Sequence, residues 1–245
     1  MKHIVIIPAR LGSSRLHAKP LLLIDGKTMI EHTVERVLAG GIHPVAVASD
    51  SNLILDKISH LQGVIPVMTS PDHTCGTERV LEAYETISKE QGEFDYIINV
   101  QGDEPFISPA LISELPIELE KRKDLAEYWT TVTEIQDFER TDRNVAKVVL
   151  DLNQNALIFT RDDIQSAYKH TSVYIYTPKF LKIFCNLPQS PLEKAYSLEQ
   201  MRALDNGYNL NCIPLPYDAI SINTVEDLQK AKVEEYKLYK TGESV

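Results

Sequence analysis

Short apolar runs alternate with helix-like segments through the first hundred residues, and this alternation strongly limits what the chain can fold into. Four of the runs are typical of buried strands: residues 4–7, 44–49, 64–68 and 96–100. Between them, apolar residues at helical spacing predict helices at 29–38, 52–61 and 77–88. Alternation of this kind predicts a mostly parallel sheet that is covered by helices on both faces.

The pattern is less regular after residue 125. Strands are expected at 130–133, 146–150 and 173–176. Apolar spacing predicts a long helix at 192–206, and a segment rich in Glu and Lys predicts a closing helix at 225–239. Because no linker rich in Gly, Ser or Pro divides the chain, we expect one α/β domain over residues 1–245, with its site at the carboxyl ends of the strands.

Composition argues against several classes of protein. The formal net charge of −10 argues against nucleic acid or an anionic membrane surface as a partner. No apolar stretch is long enough to span a membrane, and the first strand begins without a preceding signal peptide. Cys75, Cys185 and Cys212 form no disulfide or metal pattern, so we expect three reduced thiols in a cytoplasmic protein.

The loop after the first strand combines small residues with three cations, Arg10, Arg15 and Lys19. Together with the Gly-Ser-Ser sequence at 12–14, these residues offer backbone N–H groups, hydroxyls and positive charge, which suit a polyphosphate. The loop matches neither the dinucleotide-binding pattern nor the P-loop pattern. An ordinary strand-to-helix connection with surface cations is therefore an equal alternative.

A second polar segment, residues 99–105, follows the apolar strand at 96–100. Polar residues at this end of a central parallel strand lie where ligands bind in such sheets. Asp103 suits Mg²⁺, which prefers carboxylate and phosphate oxygens, and the amide of Gln101 suits a base edge or a sugar hydroxyl. The alternative is a turn in which Gly102 has a positive φ and Asp103 is a solvated cap.

Arg79 is a third candidate. It lies in the first turn of the helix predicted at 77–88, where a cation is poorly placed relative to the helix dipole. This unfavourable position favours an anionic or base ligand for its guanidinium group.

Together these segments resemble one family, the CMP-Kdo synthetases, or 3-deoxy-manno-octulosonate (Kdo) cytidylyltransferases. The similarity runs in the same order through nearly the whole chain, which is more specific than any one motif. The matching segments are residues 6–10, 13–16, 19–21, 76–79, 99–105, 144–149, 189–193 and 198–202.

The resemblance implies a three-layer, Rossmann-like nucleotidyltransferase fold with a mostly parallel central sheet and a small insertion for acceptor binding and dimerisation. It implies that the anomeric hydroxyl of a 2-keto sugar acid attacks the α-phosphate of CTP and releases pyrophosphate. The nucleotide-binding half would span about residues 1–125, the acceptor and homodimer part about 126–215, and a closing segment 216–245.

The resemblance also implies roles for individual residues. The expected nucleotide-binding residues are Ala9, Arg10, Ser13, Lys19, Arg79 and Gln101. The expected catalytic residues are Arg10, Lys19 and Asp103. The expected ligands of the Mg²⁺ cofactor are Asp103 and Asn223. The expected acceptor-binding residues are Gln101, Arg161, His170, Tyr174, Tyr196 and Glu199.

The chain departs from the family pattern in both halves. Ala18 stands where the family has Gly, which removes backbone freedom from the phosphate loop. Asn223 stands where the family has a metal-binding Asp, so we expect a weaker metal site or the loss of one of two metals. On the acceptor side, Ser172 replaces a Gly, Tyr196 replaces a Glu, and the stretch over 161–170 is short.

These departures leave three hypotheses open. The favoured one is a Mg²⁺-dependent cytidylyltransferase that acts on CTP and Kdo or a close analogue. The second keeps this chemistry with another acceptor, such as an amino-substituted Kdo, another ulosonic acid or a small phosphonate. The third, suggested by Asn223, is a nucleotide-binding relative with little catalysis.

Overall fold

The first strand of the chain, His3–Ala9, lies inside the central sheet, and six of its seven residues are buried. The computed structural model describes residues 1–12, 16, 18–218, 222 and 227–229. The strands are β1 (His3–Ala9), β2 (Leu23–Ile24), β3 (Lys27–Thr28), β4 (Val45–Ser49), β5 (Val64–Met68), β6 (Tyr96–Val100), β7 (Tyr128–Glu134), β8 (Lys147–Leu150), β9 (Ala156–Thr160), β10 (Tyr168–Tyr176) and β11 (Asn211–Pro214). The helices are α1 (Met29–Ala39), α2 (Asn52–Ile58), α3 (Gly76–Gln91), α4 (Pro109–Arg122), α5 (Pro178–Asn186), α6 (Pro191–Tyr196) and α7 (Met201–Asp205).

The main sheet has the strand order β11-β7-β10-β6-β1-β4-β5. β6, β1, β4 and β5 pair in parallel, and β11 pairs in parallel with β7. β10 is the reversed strand, because it is antiparallel to both β6 and β7. β8 and β9 form a hairpin that continues from β10. The expectation of a mostly parallel central sheet is therefore confirmed.

Helices cover both faces of this sheet. Alternate residues of β1 point to opposite sides, so Ile4 and Ile6 pack with the apolar faces of α3 and α5. Val5 and Ile7 pack on the other side with α1, α2 and α4. The two apolar cores lie between three layers, which confirms the predicted three-layer α/β fold.

The structure corrects the long helix predicted at 192–206. Two short helices, α6 and α7, occupy this stretch. The helical conformation is interrupted at Ser197, whose φ of 53° lies in the left-handed region. Leu192 of α6 is partly exposed, whereas Leu198, in the segment between the two helices, is buried. The apolar spacing over 192–206 therefore does not come from one continuous helix.

Four further elements lack a clear sequence signal. α4 contains Pro116, which disfavours a helix in that region, and α5 is a helix of only nine residues. β9 and β11 are strands of five and four residues at the margins of the sheet. Most of the predicted closing helix at 225–239 lies outside the described residues. Within this range the structure describes only residues 227–229, and these are helical. Among the described helices, none is long and apolar enough to cross a membrane.

Candidate active site

A cleft of about 810 Å³ opens at the carboxyl ends of the central strands. One side, here called the strand-end wall, consists of residues 8–10, 19–20, 74–76, 78–79 and 101–103. The opposite side, here called the helical wall, consists of Cys185, Leu187, Gln189, Glu193, Lys194, Ser197, Glu199 and Arg202. The strand-end wall therefore joins the three segments that sequence analysis selected separately.

Gly102 allows the first two of these segments to approach closely. A Cβ atom at this position would lie 2.8 Å from the carbonyl oxygen of Pro8, which is too close for any larger residue. The hydroxyl of Thr33, in α1, donates a hydrogen bond to the carbonyl of Gly102 at 3.3 Å and so fixes this turn to the helix. Gly102 does not have the positive φ of the alternative interpretation, so the close approach to β1 is the reason for the glycine.

Lys19 and Asp103 meet across this junction. Lys19 begins a 3₁₀ turn, Lys19–Leu21, and its Nζ donates to Oδ2 of Asp103 at 2.6 Å. About one third of the Asp103 side chain is exposed, so the carboxylate remains open to the cleft. The amide of Ile222 donates to the backbone carbonyl of Asp103 at 3.2 Å, which brings a late part of the chain beside this residue.

The donor set here fits Mg²⁺ in part. This ion is usually held by one or two carboxylates together with substrate phosphates and water, and Asp103 supplies one exposed carboxylate at the cleft. In the described part of the chain, no group of three or more His, Cys, Asp or Glu side chains has a metal-binding arrangement. Asn223 and Ser13 lie outside the described residues.

Arg79 has an anionic partner within the protein, which sequence analysis missed. Its Nη2 donates to Oδ2 of Asp50 at 3.1 Å, and its Nη1 donates to the hydroxyl of Thr69. Oδ1 of Asp50 accepts from the amide of Leu11 at 3.0 Å. The unfavourable position of Arg79 in α3 is therefore balanced by Asp50, so it is no longer a reason to expect an external anion. Asp50 directly follows β4, and this position at the carboxyl end of a parallel strand is the signal that could have identified it as a site residue.

Gln101 is held beside the start of α3. Its Nε2 donates to Oδ1 of the buried Asn99 at 2.9 Å. A Cβ atom at Gly76 would lie 3.4 Å from Oε1 of Gln101, so the glycine leaves room for the amide. Gln101 lines the cleft together with Ala9 and Arg10, as its predicted role requires.

Glu199 is the predicted acceptor residue that lies in the helical wall. Burial raises the pKa of its carboxyl above the ordinary glutamate value, although the neighbouring side chains of Thr77 and Cys75 act in the opposite direction. The buried Oε1 atom has no hydrogen-bond partner among the described residues. A buried oxygen without a donor is costly, so the atom is suited to a donor from a ligand.

The other acceptor candidates outside the strand-end wall do not line the cleft. His170 is buried, its Nε2 lies 2.8 Å from the hydroxyl of Thr130, and burial lowers its pKa to about 3. The hydroxyl of Tyr174 donates to Oε1 of Gln200 at 3.3 Å. Neither His170 nor Tyr174 belongs to the cleft lining, and their role in acceptor binding stays a prediction.

Arg161 donates to three backbone carbonyls, one of which belongs to Tyr196 at the end of α6. The other two carbonyls belong to Arg143 and Asn144, so the guanidinium joins the β8–β9 hairpin to α6. Neither Arg161 nor Tyr196 belongs to the cleft lining. Their assignment as acceptor ligands also stays a prediction.

A buried ion pair holds the helical wall together. Arg202 of α7 donates from Nε and Nη2 to the two carboxylate oxygens of Glu193 of α6, at 2.9 and 2.6 Å. Glu193 also caps the start of its own helix through Ser190. The guanidinium of Arg202 lies 5.1 Å from the ring centroid of Phe184. This pair fixes α6 against α7 across the break at Ser197.

Comparison with known proteins assigns the chain to a family. The family model described as "Cytidylyltransferase" matches residues 4–210, which is most of the chain. The chain belongs to the cytidylyltransferase family. This cytidylyltransferase is 37% identical over 243 residues to the 8-amino-3,8-dideoxy-manno-octulosonate cytidylyltransferase of Shewanella frigidimarina, covering 95% of this chain and 98% of the relative. It is 39% identical over 240 residues to the 3-deoxy-manno-octulosonate cytidylyltransferase of Paramagnetospirillum magneticum, covering 94% and 96%.

A solved structure of CMP:2-keto-3-deoxy-manno-octonic acid synthetase complexed with CTP matches this cytidylyltransferase with a TM-score of 0.84. The two chains are 33% identical, and the match covers 97% of this chain and 99% of that one. The expected relation to CMP-Kdo synthetases and the expected fold are both confirmed.

Two departures of this cytidylyltransferase from the family pattern have a conformational consequence. Ala18 has φ 49° and Ser172 has φ 57°, both in the left-handed region that favours glycine. Ser172 lies where the pairing of β10 with β7 shifts register. The backbone has kept a glycine conformation at both positions although the glycine is gone.

Proposed function

We propose that this cytidylyltransferase joins CTP to a 2-keto sugar acid, Kdo or its 8-amino analogue, to give a CMP-sugar and pyrophosphate. The observation that carries the proposal is the match to the CTP-complexed synthetase over 97% of the chain. The names of the two relatives supply the two acceptors. The polar cleft at the strand ends has the position and size expected for two anionic substrates.

In this proposal the anomeric hydroxyl of the sugar attacks the α-phosphorus of CTP. A phosphorus–oxygen bond forms to the sugar as the hydroxyl proton passes to water, and the bond from the α-phosphorus to the bridging oxygen breaks. The electron pair of that bond leaves with pyrophosphate. Positioning and charge neutralisation supply most of the rate in such a substitution.

The strand-end wall would bind the nucleotide. Arg10 and Lys19 would neutralise the triphosphate, with Ser13 as a further donor. Ala9, Arg79 and Gln101 would surround the cytidine. Arg79 lines the cleft, and Asp50 already holds its guanidinium, so nucleotide binding would require little further ordering of this side chain.

Asp103, with Asn223 as a neutral oxygen donor, would hold Mg²⁺. When bound, the ion supplies charge stabilisation for the phosphate oxygens and for the leaving pyrophosphate. Nζ of Lys19 lies 2.6 Å from Oδ2 of Asp103, so the ion pair holds both side chains at the cleft. Gln101 and Glu199 would donate and accept hydrogen bonds at the hydroxyl or amino groups of the sugar.

We further propose that the enzyme acts as a homodimer in the cytoplasm, which rests on the family resemblance. Light scattering of the purified chain tests the dimer, and a mass near 27.7 kDa would contradict it.

Pyrophosphate release tests the reaction. The protein is incubated with CTP and Mg²⁺, and with Kdo, 8-amino-Kdo or no acceptor. We expect pyrophosphate only when an acceptor is present, and much less with UTP in place of CTP. The ratio of kcat/KM for the two acceptors identifies the preferred one. CTP binding without release, across a panel of ulosonic acids and phosphonates, would support a nucleotide-binding relative instead.

A further inference from the structure

The helical wall carries two cations in different electrostatic states. Arg202 is 4% exposed, and its charge is neutralised by the two hydrogen bonds to Glu193. Lys194, the next residue along α6, is exposed and lines the cleft. Its side chain has no hydrogen bond or ion pair with any residue that the structure describes.

The strand-end wall shows the same division. Lys19 is paired with Asp103, and Arg79 is paired with Asp50. Arg10 also lines the cleft, and its side chain has no such pairing within the described ranges. Among the described residues that line the cleft, each wall therefore offers one cation, Arg10 or Lys194, whose charge is not already balanced.

The two proposed substrates carry two separate anionic groups, a triphosphate and a carboxylate. A substrate carboxylate that binds against the helical wall lies near Glu193 and Glu199. Because these groups are acidic, the carboxylate requires a positive charge nearby. Arg202 meets this requirement poorly, because withdrawing it from Glu193 would leave a buried carboxylate without its partner. Lys194 meets it without breaking an existing contact.

We propose that Lys194 binds the carboxylate of the acceptor sugar, and so selects acidic over neutral sugars. This inference rests on the proposed function, and it adds a residue that the sequence motifs did not indicate. A lysine suits the role, since its flexible side chain forms a charged hydrogen bond at the rim of a cleft while the charge stays partly in water.

The test varies the residue and the substrate together. Steady-state constants are measured for the wild type, Lys194→Gln and Lys194→Arg, with the sugar acid and with its carboxamide. Lys89→Gln is the matched control, because Lys89 is an exposed helical lysine outside the cleft. We expect Lys194→Gln to raise KM for the acid about tenfold, with kcat and the KM for CTP within about twofold of wild type.

The carboxamide separates this role from a structural one. We expect wild type and Lys89→Gln to prefer the acid strongly, Lys194→Gln to lose most of that preference, and Lys194→Arg to restore part of it. Equal loss with acid and carboxamide would overturn the proposal, as would an unchanged KM for the acid. A rise in the KM for CTP alone would assign Lys194 to the triphosphate instead.

Calorimetric binding distinguishes failure of this inference from failure of the proposed function. If wild type releases no pyrophosphate with any acceptor, the proposed function fails. Titration of the acid and the carboxamide into wild type and Lys194→Gln then still tests the site. Tighter binding of the acid to wild type than to Lys194→Gln supports the inference. Equal affinity of both proteins for both ligands overturns it.

Discussion

Asp50 holds Arg79 at the wall of the cleft, with Oδ2 of the carboxylate 3.1 Å from Nη2 of the guanidinium. The same carboxylate accepts the amide of Leu11 through Oδ1, so one side chain joins the loop after β1 to helix α3. Both partners are largely buried, at 3% and 13% side-chain exposure. A single residue at the end of β4 thus fixes two parts of the proposed nucleotide site.

Asp50→Asn should loosen both parts together. The amide keeps one acceptor oxygen but loses the charge, so we expect a loss of about 1–3 kcal/mol in the free energy of unfolding. We also expect KM for CTP to rise at least about tenfold, because Arg79 is no longer held in place. Asp56→Asn on the exposed side of α2 is the control. Wild-type affinity for CTP in Asp50→Asn would refute this role.

Asp103→Ala should remove turnover and leave the fold intact. Its carboxylate is the proposed metal ligand, and loss of such an electrostatic group costs at least about 100-fold in kcat. Because the side chain is one third exposed, its ion pair with Lys19 contributes at most about 1 kcal/mol to stability. Pyrophosphate assays and urea unfolding check the two parts. Asp124→Ala is the control, because Asp124 is exposed and does not line the cleft. Turnover near that of the control would contradict the assignment.

Ala18→Gly should stabilise the protein. The φ of 49° places an alanine in the left-handed region, and removing the Cβ relieves strain that exceeds the added chain entropy. We expect the free energy of unfolding to rise by about 0.5–1 kcal/mol. Ala110→Gly in the first turn of α4 should lower it, by at most about 1 kcal/mol. Equal losses in both variants, measured by urea unfolding, would show that position 18 is unstrained.

His170→Gln should reduce the acid sensitivity of the fold. Burial lowers the pKa of His170 to about 3 from an ordinary value of 6.5, so between these values the unfolded chain holds a proton that the native state lacks. The native state therefore loses stability as the pH falls through this window, by up to about 1.4 kcal/mol per unit. Urea unfolding at pH 7, 6, 5 and 4 should show a smaller slope in the variant. Parallel curves would contradict the shift.

Much of the fold could be predicted because strand and helix signals in the first hundred residues agree with one another. β1, β4, β5 and β6 and helices α1 to α3 all formed where the apolar periods indicated. The later segments carry weaker signals, because β9 and β11 are short and α4 contains Pro116. The ion pair between Glu193 and Arg202 joins the two helices on either side of Ser197, and periodicity contains no information about such a tertiary contact.

The candidate site was predictable where its residues follow strands directly. Arg10, Gln101 and Asp103 line the cleft because the carboxyl ends of β1 and β6 meet there. Asp50 follows β4 in the same way, but its importance comes from its contacts with Leu11 and Arg79, which lie far away in sequence. Lys194 had no motif at all, and only the distribution of ion pairs around the cleft distinguishes it.

Formation of a CMP-sugar from CTP and a 2-keto sugar acid is the reaction proposed for this cytidylyltransferase. Phosphorus NMR of a reaction with CTP, Mg²⁺ and Kdo or 8-amino-Kdo measures this directly. We expect the CTP resonances to decline while a phosphodiester resonance and pyrophosphate grow in a one-to-one ratio. Unchanged CTP with both acceptors, or pyrophosphate without a phosphodiester, would contradict it.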